Sequence, residues 1–552
     1  MLCEFDGFVW FDITLTPTAK TDVESLALDI PFTKEASTLF NAMHKQYMDF
    51  KPGDYGFFKD YGMDLFASNR IIFVGNDSVG LEWFCETLED WYVDNRKKSL
   101  QLIKGERSNI LRLNMIDHKV TVESPLTYRF GIQALPVRPM TPNWRLVRLA
   151  RGEKNSFNAF WKFATRHNSM FKGHVRPDYD ENKAFQLTRY SRIFEYTAGF
   201  TMSPLVPEWP YHCLEWSKTP PAIGVYGAEN NPQEFFGWIC PKSESMRNYY
   251  TYNLRERVNE LNIKDLYVDN QDAQLCSNAY HGCGFTGKDG KRYASFNILS
   301  TRDLTKRIYK IIREHNSEGQ VFRHMSQKPY MPAISFSDYL CDGECYNKTV
   351  AEDESYLNIL EPSLMRACYR SLPYGIPNYF IPQFQRAISL HSPIKNRYPD
   401  AWMKPEDMAK HEPVLRHFLG YFLVHDAQIW PSFGISLKKW WRIQDACGFD
   451  GNERFVLYSE ESCPFVSAGR FMVSCYVLKN GRTIIVAMND TEKPVESIKF
   501  DEAKLKALGI NDFSLTNLES GEAVTAANGV INSAVPPRDY ILLGNFEMPK
   551  AK

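Results

Sequence analysis

A chain of 552 residues is too long for one hydrophobic core, so two to four domains are expected, one of which can be a barrel of about 250 residues. Lys and Arg total 65 against 66 Asp and Glu, for a net charge of -1, and no long run of one sign occurs; that excludes a phosphate-tracking stripe and a membrane-surface patch, and no nucleic-acid partner is expected. With 44% apolar and 24% charged residues the composition is that of a globular protein, and no segment reaches the run of about 18 apolar residues that a membrane helix needs.

Residues 1 to about 140 read as an all-β domain. Short β-rich runs recur between turn signals: Phe8–Ile13, Arg70–Val74 ending at Gly75-Asn76-Asp77, Ile110–Leu113 and Tyr128–Ile132. The start, Met1-Leu2-Cys3-Glu4, lacks the basic and apolar regions of a secretory signal, so no export signal is expected in this stretch. Pro136, Pro139 and Pro142 mark an extended linker.

From there to about residue 432, short apolar strands alternate with amphipathic helices, the pattern of a parallel sheet or barrel. Ser243 is placed as an N-cap, and Met246, Tyr250, Leu254, Val258 and Leu261 follow at helical spacing. The strand Asp265–Asp269 comes next, then a helix over about Thr301–His315 and strands at Gln320–His324 and Ala333–Asp338. Tyr196 sits on another candidate strand. Beyond Pro431 the β signals return, with Phe471–Leu478 and Thr483–Met488 joined through Asn480-Gly481 as a hairpin and Tyr540–Leu543 as a closing strand. The fold class expected is therefore multidomain, α/β and all-β: an N-terminal β-sandwich over 1–140, a central (β/α)8-type barrel over 141–432, and a small C-terminal β-sandwich over 433–552.

In a parallel barrel the carboxyl ends of the strands carry the active site. Asp269 stands at such an end, after the buried-type run Leu266-Tyr267-Val268, and Asn270 and Asp272 add polar groups in the following loop. Two strands later, Asp338, Asp342 and Glu344 crowd just past a strand end. Glycoside hydrolysis usually requires one protonated carboxyl to release the leaving oxygen and one carboxylate to attack carbon or activate water. Asp269 and Glu344 are the expected catalytic pair, with Asp342 the rival for the acid and Asp338 placed to orient a neighbour.

The runs Ile263–Asn270, Leu275–Gly284, Ser300–Leu304 and Asp338–Glu344, with Val74–Asp77, Gly80–Phe84 and Phe130–Val137 in the front domain, resemble glycoside hydrolase family 123-like bacterial proteins. The resemblance implies a sandwich preceding a barrel, breakdown of a polysaccharide or glycoconjugate, and export through an upstream segment. Characterised members hold a substrate acetamido group with an adjacent Asp-Glu pair. Here the acids are spaced as Asp342-Gly343-Glu344, and Asp353-Glu354 lies farther on. That spacing looks more like a retaining α-galactosidase barrel with Asp269 as nucleophile. The expected function is hydrolysis of O-glycosidic bonds with retention; the alternatives are a non-catalytic carbohydrate-binding protein on a degenerate barrel and a substrate-assisted N-acetylhexosaminidase.

Several further side chains fall where a sugar would bind. His324 ends its strand, His425-Asp426 precedes Ile429-Trp430 near the last barrel strand, and Trp238 and Trp430 are candidate sugar platforms beside Tyr196. His281 is expected in the pocket wall. Cys276, His281 and Cys283 have zinc-ligand spacing, but no fourth ligand is evident along the chain. Free buried thiols are the leading reading, with a disulfide between Cys276 and Cys283 as the alternative, and no metal or cofactor is expected. Neither a Gly-rich phosphate loop nor a Gly-x-Ser-x-Gly elbow occurs, which argues against nucleotide and serine-hydrolase chemistry. The sequence does not fix the oligomeric state.

Overall fold

The computed structural model describes residues 1–42, 53–153, 155–161, 178–202, 206–221, 223–226, 234–269, 272–325, 330–343, 346, 360–382, 405–431 and 437–549. The chain divides into two compact units, one of residues 1–140, 150–342 and 362–377, the other of 141–149, 343–361 and 378–552.

The first unit opens with two antiparallel sheets. One has seven strands, with Phe8–Leu15, Leu126–Leu135, Gly80–Phe84 and Ile71–Gly75 as successive neighbours; the other has four, Leu26–Phe32, Asn109–Ile116, Leu100–Lys104 and Tyr61–Met63. Alternate residues of Asn109–Ile116 are buried, the period-two pattern of a strand with one face on a core. Leu111, Leu113, Leu102, Ile72, Val74, Trp83 and Phe130 share that core.

Five parallel strands follow in sheet order and chain order alike: β1 (Phe157–Trp161), β2 (Arg192–Ala198), β3 (Asp265–Asp269), β4 (Val321–His324) and β5 (Tyr339–Asp342). Helix α1 (Glu244–Glu260) precedes β3, and Ser243 caps it by accepting a hydrogen bond from the Met246 N–H. Helix α2 (Ile298–His315) precedes β4. Ile193, Leu266, Val268 and Val321 project to the helix side and pack with Met246, Tyr250, Leu254 and Val258 of α1 and Leu304, Ile308 and Ile312 of α2. The opposite face is an aromatic layer: Phe194 lies 5.7 Å from Phe322, Tyr196 5.8 Å from Tyr267, and Phe322 5.5 Å from Tyr339, ring centre to ring centre. Because β3 alternates, Asp265, Tyr267 and Asp269 stack on that aromatic side.

The strand expected at Ala333–Asp338 is not one. Met331–Ile334 is a short helix with a proline in its first turn, and the strand starts at Tyr339. Asp342 consequently ends β5, while Asp338 stands before its first residue, at the amino end of the sheet. The same end holds Asp265, which accepts from Arg192 at 2.7 Å and from the Gln320 N–H at 2.8 Å. Burial outweighs these partners and pushes the Asp265 carboxyl up to about 6. A carboxyl raised on folding contributes its stability below the unfolded value near pH 4 and loses it as pH rises through about 6. Asp265→Asn should therefore flatten the stability profile between about pH 4 and pH 7 by up to about 3 kcal/mol, measured by denaturant titration at a series of pH values.

The antiparallel sheets meet the parallel sheet through Arg302, buried on α2. Its guanidinium donates to both Asp6 oxygens at 2.8 and 2.9 Å, to Glu4 at 2.7 Å and to the Pro332 carbonyl at 2.9 Å. The two layers thus share one compact unit.

The second unit contains a parallel pair, Asn378–Phe380 with Gln428–Ile429, and helices Pro405–Leu423 and Lys438–Cys447. A six-stranded antiparallel sheet follows, in which Thr483–Asn489 lies between Phe471–Val477 and Asp539–Gly544. Gly481, at φ 81°, closes the hairpin. No helix among the described residues is long and apolar enough to cross a membrane.

Candidate functional site

Asp269 is the last residue of β3, and neighbouring strands deliver two groups to it. In the register, Tyr196 of β2 faces Tyr267, one layer below Asp269, and its hydroxyl reaches up to donate to Asp269 Oδ2 at 2.7 Å. His324, last on β4, places Nδ1 3.3 Å from Asp269 Oδ1. A carboxylate only accepts, so the proton of that contact resides on Nδ1. Each oxygen is thereby oriented by a different strand, and the carboxylate cannot rotate without breaking one contact. The Asp269 side chain keeps 12% of its surface exposed, which leaves an approach to it.

A second group of buried polar side chains, only partly expected from the sequence, lies in the first unit. Asp342 and Asp272 are both buried, and together with Glu82 they act electrostatically on Tyr330. Burial first, then Asp272 and Asp342, push the Tyr330 phenol well above its usual range, while Asn69 donates to its oxygen at 2.7 Å. Glu82 comes from the antiparallel strand Gly80–Phe84 and accepts from the Met331 N–H at 3.0 Å; burial raises its carboxyl well above the ordinary range. Arg323, wholly buried on β4, donates from Nε to Ser337 Oγ at 2.9 Å. Burial pulls it down to about 10, opposed by Tyr250 and Asp272. Glu82, Asn69 and Tyr330 were absent from the sequence reading. The only signal for Glu82 was an acid inside an otherwise apolar strand.

Other expected site residues are placed elsewhere. Asp338 does not face Asp269: its carboxylate accepts from the Val321 N–H at 2.8 Å and from Arg313 at 3.0 Å, at the opposite end of the strands. Asp426 lies in the second unit, 2% exposed, with Arg145 donating to it at 2.7 and 2.9 Å and the Tyr476 hydroxyl at 3.0 Å. Those contacts engage both oxygens in a buried ion pair. Trp238 belongs to a small antiparallel sheet and packs, half-buried, on the helix-side core. Trp430 extends the parallel pair of the second unit, its N–H donating to the Phe380 carbonyl at 2.9 Å. His425 is buried between the Tyr421 carbonyl and the Tyr458 hydroxyl. Asn270 and Glu344 lie outside the described residues.

His281 contacts a cysteine cluster. Its Nε2 lies 3.3 Å from Cys276 Sγ, and Nδ1 donates to the Glu215 carbonyl. Cys276 and Cys283 are free, buried thiols, the leading expectation for them, and do not form the alternative disulfide. Cys283 instead lies 3.8 Å, sulfur to sulfur, from Cys240. That residue supplies the fourth donor the sequence reading did not find.

No protein-family model and no curated protein sequence matches the chain. Solved structures that resemble it include a xylosidase from Aspergillus niger, 9% identical, with 97% of this chain and 81% of that one covered at a TM-score of 0.45. An alpha-galactosidase from Geobacillus stearothermophilus is 8% identical, covering 97% of this chain and 79% of its own at 0.42. An Anoxybacillus alpha-amylase is 10% identical, covering 71% and 87% at 0.42. At such identities and scores, function has to be argued from the site's own geometry.

Proposed function

We propose that this protein is a glycoside hydrolase acting on O-glycosidic bonds of a polysaccharide or glycoconjugate. The reading rests on one observation: a partly accessible carboxylate, Asp269, at the carboxyl end of a parallel strand, with its two oxygens fixed by Tyr196 at 2.7 Å and His324 at 3.3 Å. The five parallel strands belong, in this proposal, to a (β/α)8-type barrel whose mouth is that end. Asp269 attacks or electrostatically stabilises the anomeric carbon as the bond to the leaving oxygen breaks, and a second carboxyl protonates that oxygen. Glu344 takes the acid role, with Asp342 as its neighbour on β5; Asn270 and Asp272 contribute hydrogen bonds to substrate hydroxyls. Asp269 as the attacking group implies retention of configuration. Any link to the family 123-like proteins belongs to the same proposal.

Tyr196 is a positioning residue. Tyr196→Phe removes a hydrogen bond to a charged acceptor, worth about 1.5–3 kcal/mol, and should lower kcat by roughly ten- to a hundred-fold with little change in KM. The overall test is a screen of aryl glycosides and plant or host polysaccharides with the wild type and Asp269→Asn. Hydrolysis by the wild type and its loss in the variant supports the reading. Binding of sugars with no hydrolysis by either protein overturns it in favour of a carbohydrate-binding protein on a degenerate barrel.

A further inference from the structure

Outside the acid site, one cluster of metal-ligating side chains is assembled in the first unit from Cys240 and the stretch Cys276–Cys283. Cys240 lies between the strand Glu234–Trp238 and α1; Cys276 ends the short strand Leu275–Cys276; His281 closes a single 3-10 turn; Cys283 follows it. Gly282, at φ 75°, sits between the last two and turns the chain through the left-handed region, so that His281 and Cys283 face the same point. The four donor atoms all lie within 4.8 Å of one another. The three cysteines are at most 1% exposed and none is in a disulfide.

We propose that Cys240, Cys276, His281 and Cys283 bind one structural zinc ion in a closed Cys3His site. Tetrahedral zinc, with bonds of about 2.3 Å to sulfur and about 2.0–2.1 Å to nitrogen, sets its ligand atoms roughly 3.5–3.8 Å apart. Cys240 and Cys283 are 3.8 Å apart and Cys276 and His281 are 3.3 Å apart, so small shifts suffice. The surroundings suit thiolates and not packed thiols. The Thr219 and Asn278 N–H groups point at Cys276 Sγ, each at 3.5 Å, and the Asn297 amide donates to Cys240 Sγ at 3.3 Å. The hydrogen bond from His281 Nδ1 to the Glu215 carbonyl fixes the tautomer that presents Nε2 as a ligand. Three thiolates on a divalent ion leave one negative charge, and Lys218, which acts electrostatically on Cys276 and Cys240, is placed to offset it. Zinc there pins the segment that leaves β3 after Asp269 to the segment that enters α1, which gives the metal a structural role and no part in the chemistry.

The test uses the full chain, expressed in zinc-supplemented medium and purified without chelators, with metal content read by mass spectrometry. About one zinc per chain is expected, falling below about a tenth of that in Cys240→Ser and Cys283→Ser, with retention in Cys213→Ser, whose thiol lies outside the cluster. Should the variants fail to fold, cobalt substitution of the wild type decides: a tetrahedral site with sulfur ligands gives a thiolate-to-cobalt charge-transfer band and intense visible bands. Wild-type protein that takes up neither zinc nor cobalt, or whose peptide map shows a Cys240–Cys283 or Cys276–Cys283 disulfide, overturns the proposal.

Discussion

Asp269→Asn should lower turnover of any glycoside the wild type cleaves by at least about a thousand-fold, with sugar affinity and thermal stability nearly unchanged. The amide oxygen can still accept the Tyr196 hydroxyl, so the side chain keeps its place, while the charge that would meet the anomeric carbon is gone. The strand itself is held from its other face by Leu266 and Val268 packed in the helix-side core, contacts the substitution does not reach. Two measurements separate the roles open to Asp269. If it is the nucleophile, Asp269→Gly supplied with azide should form a glycosyl azide of inverted configuration, because the anion enters from the face the carboxylate has left. If it only stabilises charge, azide restores nothing and water still attacks with the help of another carboxyl. A loss of less than about tenfold in Asp269→Asn would remove it from the chemistry altogether.

The parts of the fold legible in the sequence were those written in local periodicity. Ser243 and the Met246-Tyr250-Leu254-Val258 stripe specify α1 without reference to the rest of the chain, and Leu266-Tyr267-Val268 followed by an acid specifies β3 and its carboxyl end. The position of Asp269 followed from these. What the sequence could not show was pairing across long separations. Tyr196 reaches Asp269 because β2 and β3 are parallel neighbours in one particular register, and Cys240 joins Cys276, His281 and Cys283 only because α1 folds back along the sheet. Neither fact leaves a spacing to read. Asp338 lies at the amino end of the sheet for a local reason: the sequence pattern places a strand over Ala333–Asp338, whereas the proline in the first turn of Met331–Ile334 begins a helix, and the strand starts downstream at Tyr339. Asp426 failed for the opposite reason, an acid before an apolar pair looking like a strand-end ligand when its partner, Arg145, lies far back in the chain.

That last pair carries the second large effect. Asp426→Ala should destabilise the second unit by about 3–5 kcal/mol, seen as a lower midpoint in denaturant unfolding. Arg145 is 6% and Asp426 2% exposed, and the guanidinium donates to both carboxylate oxygens, at 2.7 and 2.9 Å. Removing the acid leaves the buried guanidinium with only the long 3.5 Å contact to Glu453 Oε2 as an ion pair, the other Glu453 oxygen accepting from the Asp450 and Gly451 N–H groups at 2.6 and 2.7 Å. The Tyr476 hydroxyl loses its acceptor as well. Asp426 also sits at φ 56°, where Ala is more strained than Asp, so backbone cost adds to the electrostatic one. The double variant Arg145→Met with Asp426→Ala should recover part of the loss, since the uncompensated charge is then gone. Were Asp426 instead a sugar ligand, Asp426→Ala would weaken substrate binding while leaving the unfolding midpoint in place, the reverse of what this buried geometry requires.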